Sequence, residues 1–184
     1  MPKQLSEFEK MPFDFQPTLK GALVELRPLR ADDANDLFAV ASDPLIWEQH
    51  PDRDRYKPDI FSAFFAGALA SGGAFVVLDS KDGRIIGSSR FLAYNEKTSE
   101  VEIGFTFLAR SHWGGKYNAE MKYLMLRHAF RFVKRVVFLI GPQNIRSQRA
   151  IEKLGGVRAG SRPNAVGRDS YVYEITSLPA TSQN

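Results

Sequence analysis

The chain has 184 residues, with 25 Lys and Arg against 21 Asp and Glu, and no Cys. That length suits one domain with a real hydrophobic core, while the missing cysteine excludes disulfides, thiolate metal sites and a cysteine nucleophile. The formal charge of +4, with basic residues gathered at Arg127 to Arg135 and Arg146 to Arg168, favours an anionic ligand but lacks the dense basic stripe of a nucleic-acid binder.

Residues 1–18 read as an N-terminal extension that mixes charges and prolines with Phe8, Phe13 and Phe15, without the continuous apolar region of a signal peptide. The three phenylalanines point to docking on the domain or on a partner. Nowhere do about 18 apolar residues run together, so no membrane span is expected and a cytoplasmic protein is the default. Leu19 to Leu29 alternates as a strand. Asp32 and Asp33 then offer capping oxygens to a helix through Ala41. Asp43-Pro44 breaks it, and after a charged loop Ile60, Phe61, Phe64, Phe65 and Ala68 recur at helical spacing until Gly72-Gly73. Phe75 to Leu78 and Arg84 to Tyr94 flank Asp82-Gly83, a hairpin signal, and Val101 to Leu108 extends the meander. A helix is expected over Asn118 to Val133, with Met121, Leu124, Met125, His128 and Phe132 on one side. A short strand over Val136 to Ile140 and a helix from Asn144 to Leu154, stopped by Gly155-Gly156, come next. Val157 to Arg162 and Ser170 to Ile175 close the sheet, and 176–184 is a polar tail. The whole chain, 1–184, is expected to be a single domain.

Two segments carry the chemistry. In Arg110-Ser111-His112-Trp113-Gly114-Gly115-Lys116-Tyr117-Asn118 a glycine turn leads into a helix, whose free N–H groups and dipole suit an anion such as a pyrophosphate. A bland alternative is a simple connection with Trp113 packed in the core. The second segment, Asn144 to Gly155, places Asn144, Ser147, Ile151 and Leu154 along one stripe, polar at its start and apolar below. Competing motifs fail. Tyr117 stands where a P-loop needs Ser or Thr, no G-x-S-x-G elbow or G-x-G-x-x-G follows a strand, and His50, His112 and His128 have no metal-ligand spacing, so no metal is expected.

The element order, the run W-G-G-K-Y-N-A-E-M-K and the run N-I-R-S-Q-R-A-I-E-K-L-G resemble the GNAT superfamily of acyl-CoA-dependent N-acyltransferases, in its RimJ/RimL-like branch. The resemblance spans about residues 20 to 175 and is specific only over Glu102 to Gly155. It implies a mixed α/β (α+β) fold with a mostly antiparallel central sheet of about seven strands, helices on both faces and splayed central strands. It further implies acetyl-CoA as co-substrate. The pantetheine arm would lie between Val101–Leu108 and Val136–Ile140, with Phe107 and Leu108 beside it and an N–H in Phe105 to Leu108 facing the oxyanion. Arg110, Ser111, Gly114, Gly115, Lys116 and Asn118 would hold the pyrophosphate, with His112 close by. Lys116 falls where the family has glycine, so either the loop shifts to use Gly115 or Lys116 points outward to the phosphates.

By the same resemblance Asn144 bonds the pantetheine arm or the splayed strand, and Ser147 protonates the departing sulfur. Asn144 as a helix cap and Ser147 as a first-turn serine are the plain alternatives. Glu102 is the candidate base, or else an ordinary strand residue. Trp47 and His50, with Asp52, Arg53, Arg162, Asn164 and Arg168, are placed at the acceptor pocket; core packing for Trp47 and solvated loop positions for the others compete. The acceptor is a primary amine, of a peptide or a small molecule. An α-amine of pKa about 8 is easier to deprotonate than a lysine of about 10.4, by roughly 3 kcal/mol. No nucleic-acid or membrane partner is expected, and the branch leaves a homodimer open. The competing function is an acyl-CoA-binding module without turnover.

Overall fold

The computed structural model describes residues 12–180. The strand expected at residues 19–29 is divided into β1 (Leu19–Lys20) and β2 (Val24–Pro28). Glu120 causes the break. Its carboxylate accepts the amides of Ala22, Leu23 and Val24 at 3.0, 2.7 and 2.8 Å, and it sits where a Cβ on Gly21 would collide. Glu120→Ala strands these donors and is expected to cost about 2–3 kcal/mol in urea unfolding.

Asp33 caps as expected, accepting the Arg30 amide in a capping box of the 3-10 turn Ala31–Asp33 that leads into α1 (Ala34–Ala41), and it also binds the Arg27 guanidinium at 2.9 and 2.7 Å. Next, α2 (Pro58–Ser71) begins with a proline, which has no N–H to leave unpaired, and ends at Gly72 with φ 66. Strands β3 (Ala74–Asp79), β4 (Ile85–Asn95) and β5 (Glu100–Leu108) form the expected meander. Then come α3 (Lys116–Ala129), β6 (Arg135–Ile140), α4 (Ile145–Lys153), β7 (Val157–Pro163) and β8 (Asp169–Ile175).

The eight strands form one sheet in the order β1-β2-β3-β4-β5-β6-β8-β7. All pairs are antiparallel except β5 with β6. The strand beyond the expected seven is the two-residue β1. Leu37, Ala41, Phe61 and Phe65 of α1 and α2 bury one face against Trp47, Val76 and Phe107, while Met121, Leu124, Met125 and Ile151 of α3 and α4 bury the other against Phe75, Ile103 and Phe138. The expected mixed α/β architecture with helices on both faces is therefore present.

Phe13 is buried and packs on Phe15, Phe91, Tyr94 and His128, so this part of the N-terminal extension docks on the domain itself. His128 is packed as well, with Nε2 at 2.8 Å from the Asp14 carbonyl. Phe8 and the end of the polar tail lie outside the described residues. Among those described, no helix is long and apolar enough to cross a membrane, and no group of His, Asp and Glu is arranged to hold a metal.

Candidate active site

Pairing between β5 and β6 is limited to Glu100 with Arg135, Val101 with Val136 and Glu102 with Val137. Beyond Glu102, β5 continues to Leu108 and β6 to Ile140 without each other, and a wedge opens between them. A bulge marks the divergence. Gly104 opposes Arg90 and Phe107 opposes Ser88, so Phe105 and Thr106 face Ser89 alone. Phe105 has φ 52, a left-handed conformation that costs a side-chain-bearing residue about 1–2 kcal/mol. Bulges bend a strand away from its partner, as here. Phe107 and Leu108 lie in the part of β5 that pairs with β4 but has no β6 partner, and their side chains are packed inward at 5% exposure each.

β5 leads into a 3-10 turn, Arg110–His112, then Gly114 and Gly115 with φ 109 and 107, values that a Cβ would strain. Helix α3 starts two residues earlier than the sequence suggested, because Gly115 supplies the turn immediately before Lys116. Its first bond runs from the Ala119 amide to the Gly115 carbonyl at 2.8 Å, and the amides of Gly114 to Asn118 donate to no described residue. Such donors at the positive end of a helix dipole suit an anion. Lys116 is exposed on that first turn and forms no ion pair with a described residue. Gly115 thus takes the left-handed position of the turn, and Lys116, the next residue, is exposed.

Neighbouring side chains are less uniform. Arg110 Nε meets Asp43 at 2.5 Å, and Ser111 Oγ lies 2.8 Å from His112 Nδ1. His112, expected beside the phosphates, turns its Nε2 to Asp79 at 2.9 Å and pins the turn to β3. Trp113 is not in the core: it is 38% exposed, donates its indole N–H to the Leu108 carbonyl at 2.9 Å and lies under the Arg146 guanidinium.

At the start of α4, Asn144 Oδ1 accepts the Ser147 amide at 3.3 Å, so the capping role is realised. The Ser147 hydroxyl is half-buried and bonds to no described residue, whereas Ile151 is fully packed and Leu154 partly so, the expected stripe. Arg146 ties this helix to the α1–α2 loop through the Ile46 carbonyl at 2.8 Å.

Glu102 is the last β5 residue paired with β6, which puts it at the apex of the wedge. Its carboxylate accepts no hydrogen bond from a described residue, and burial pushes its pKa up to about 7, opposed by Arg162 and assisted by Glu100. Glu100 behaves differently. Although burial opposes ionisation, ion pairs with Arg162 and Arg135 hold it below the usual carboxylate range. The two carboxylates two residues apart therefore divide into one ion-paired group and one able to accept a proton near neutral pH.

Of the two residues expected to contact the acceptor, Trp47 is buried and His50 is half-buried beside Arg55. Trp47 is 1% exposed, with its indole N–H on the Ala41 carbonyl at 2.8 Å, and so backs the wall instead of lining it. His50 accepts the Asp52 amide at Nδ1, and burial with the nearby Arg55 lowers its pKa to about 4, leaving it neutral. Asp52 pairs with Arg55 and Arg168 at 2.6 and 2.5 Å; Arg162 serves Glu100, and Asn164 closes its own loop.

Three side chains at the site went unread in the sequence. Lys122 on α3 is 3% exposed, with Nζ at 2.5 Å from Thr106 Oγ1, which lies 2.8 Å from Ser89 Oγ. Burial lowers its pKa to about 7. Arg90 and Arg55 pack on Phe64 and Phe105 across the wedge's α2 side. A charge inside the apolar run from Ile85 to Tyr94 and another between Met121 and Leu124 were the available signals; Arg55 had none.

The Acetyltransferase (GNAT) domain model matches residues 24–157. The chain belongs to the GNAT acetyltransferase family. A T. thermophilus protein described as an acetyltransferase shares 30% identity at a TM-score of 0.71, over 90% of this chain and 92% of that one. A GCN5-related N-acetyltransferase from Brucella melitensis superposes at a TM-score of 0.78 with 20% identity, over 90% and 80% of the two chains. Mycobacterium smegmatis RimJ in complex with CoA-disulfide gives 0.63 and 20%, over 88% and 86%. At that identity the last two show the shared GNAT fold. No curated protein matches the sequence.

Proposed function

We propose that this GNAT domain transfers the acetyl group of acetyl-CoA to a primary amine by direct attack, both substrates being bound together. The observation that carries this reading is the length of β5 beyond Glu102 whose edge β6 leaves uncovered, running into a turn with free amides, an extended groove joined to a place suited to an anion. Residues that would hold acetyl-CoA are the amides of Gly114 to Asn118 with Lys116 at the pyrophosphate, and the β5 backbone at Phe107 and Leu108 with Asn144 along the arm. Arg110 and Ser111 would flank the pyrophosphate. RimJ, of the same fold, has been seen with CoA-disulfide, which supports a CoA ligand.

Acetyl-CoA supplies an activated acyl carbon. Glu102 takes the proton of the attacking amine, and its pKa of about 7 suits a base at neutral pH. A backbone N–H of the Phe105–Leu108 segment faces the developing oxyanion, and the free Ser147 hydroxyl donates to the sulfur. Since Glu102 titrates near 7, an α-amine of pKa about 8 lies within reach, while a lysine amine costs roughly 3 kcal/mol more to deprotonate.

Lys116→Glu is expected to weaken acetyl-CoA binding about tenfold in calorimetry; unchanged affinity would remove Lys116 from the phosphates. With radiolabelled acetyl-CoA, label passes to the amine and none stays on the protein. Retained label would contradict direct attack.

A further inference from the structure

Arg90 stands at the centre of the sheet, on β4, directly opposite Gly104 of β5. It is 8% exposed, its Nε is buried without a hydrogen-bond partner, and no bond from its guanidinium reaches any described residue. It forms no ion pair with a described carboxylate. Its contacts are aromatic, with the guanidinium 4.0 Å from the Phe105 ring centre and 5.8 Å from that of Phe64. Stacking on rings returns less than the cost of taking a guanidinium out of water, so a buried one ordinarily has an anion beside it.

Arg55 lies over the same two rings, at 4.6 Å from Phe64 and 5.5 Å from Phe105. Its one carboxylate, Asp52, is shared with Arg168, and Arg162 is committed to Glu100. Positive charge is therefore in excess on this side of the wedge. Glu102 shares the face, because Leu92 and Arg90 are two residues apart on β4 and oppose Glu102 and Gly104 in turn. A Glu102 oxygen lies 3.2 Å from the point where a Cβ on Gly104 would be. Glu102 and Arg90 thus flank Gly104 on one face without bonding to each other.

That arrangement matches the two ends of an amino acid, an amine facing a carboxylate and a carboxylate facing a guanidinium. We propose that Arg90, supported by Arg55, is a carboxylate subsite, and that the acceptor is a small amine bearing a carboxylate within a few bonds of its nitrogen. The short span follows from Arg90 being the cross-strand neighbour of the residue beside the reacting centre. The proposal rests on the acetyl-transfer reading and selects amino-acid-like molecules over protein N-termini, which lack that carboxylate.

The test compares free amino acids with their C-terminal amides as acceptors, following thiol release from acetyl-CoA. Acids are expected to exceed their amides about hundredfold in kcat/KM, since a buried polar group left unpaired rejects the analogue. Arg90→Met should collapse that preference by raising KM for the acids, and Arg90→Lys should restore part of it. Equal use of acids and amides, or a preference that survives Arg90→Met, overturns the proposal while leaving acetyl transfer intact. If no amine of either kind releases thiol although acetyl-CoA binds, the transfer reading fails instead. Thermal shift in the presence of CoA then decides the subsite. N-acetyl amino acids should raise the melting temperature of the wild type, their amides should not, and Arg90→Met should abolish the difference; no such shift overturns it.

Discussion

Glu102→Gln lowers kcat/KM for amine acetylation at pH 8 by about a hundredfold or more, the usual contribution of a positioned general base. In the wild type the carboxyl is protonated below about pH 7, so the rate carries a limb near that pH in addition to the one set by the amine's own ionisation; the variant keeps only the amine's limb. Stability moves the opposite way. The folded-state pKa lies above the ordinary 4.5, so the folded protein holds the proton more tightly than the unfolded chain. The resulting stability is complete below 4.5 and lost as pH rises through about 7. The loss amounts to as much as about 3 kcal/mol above that pH. Glu102→Gln, neutral at every pH, is therefore more stable than the wild type near pH 8 and gains nothing near pH 4. Urea unfolding at the two pH values checks this, and a variant less stable than wild type at pH 8 would contradict it.

Lys122→Met is expected to stabilise the protein at neutral pH by up to about 4 kcal/mol, by removing an amine that burial holds with a pKa of about 7. Here the folded-state pKa is depressed below the ordinary 10.5, so the stability is complete above 10.5 and lost as pH falls through about 7. Methionine fills the same volume without a charge, and Ser89 remains to bond Thr106. Wild-type unfolding free energy should rise from pH 7 toward pH 10, and the Lys122→Met curve should lack that slope. With Glu102 costing stability from 4.5 to 7 and Lys122 recovering it from 7 to 10.5, the two together place a stability minimum near pH 7. Disappearance of one limb in each variant assigns them. A slope that persists in Lys122→Met would place the titrating group elsewhere.

What could be read in advance followed from local signals. Asp82-Gly83 and the β-branched run before and after it specify a hairpin without help from the rest of the chain, and Gly72 and Gly155 stop helices by the conformations that they alone take easily. The wedge was reached through the motif runs at Trp113–Lys122 and Asn144–Gly155, not through periodicity, because nothing in Val101 to Leu108 announces that pairing stops at Glu102. Tertiary partners account for the rest. Gly21 to Leu23 reads as strand until Glu120, nearly a hundred residues later, takes its amides. Trp47 and His112 carried the residue types of a site, but their ring nitrogens are committed to Ala41 and Asp79. Arg90 and Lys122 are charges in apolar surroundings. Their burial depends on Phe64, Phe105 and Phe138, supplied by other elements.

The most direct measurement of the central claim is thiol release from acetyl-CoA, followed with and without a panel of amines that includes free amino acids, peptides and polyamines. The acetyltransferase reading predicts release that requires an amine, yields the N-acetylated amine in equal amount and falls sharply in Glu102→Gln. Tight acetyl-CoA binding with no amine-dependent release across the panel would contradict it and leave a domain that holds the coenzyme without transferring its acetyl group.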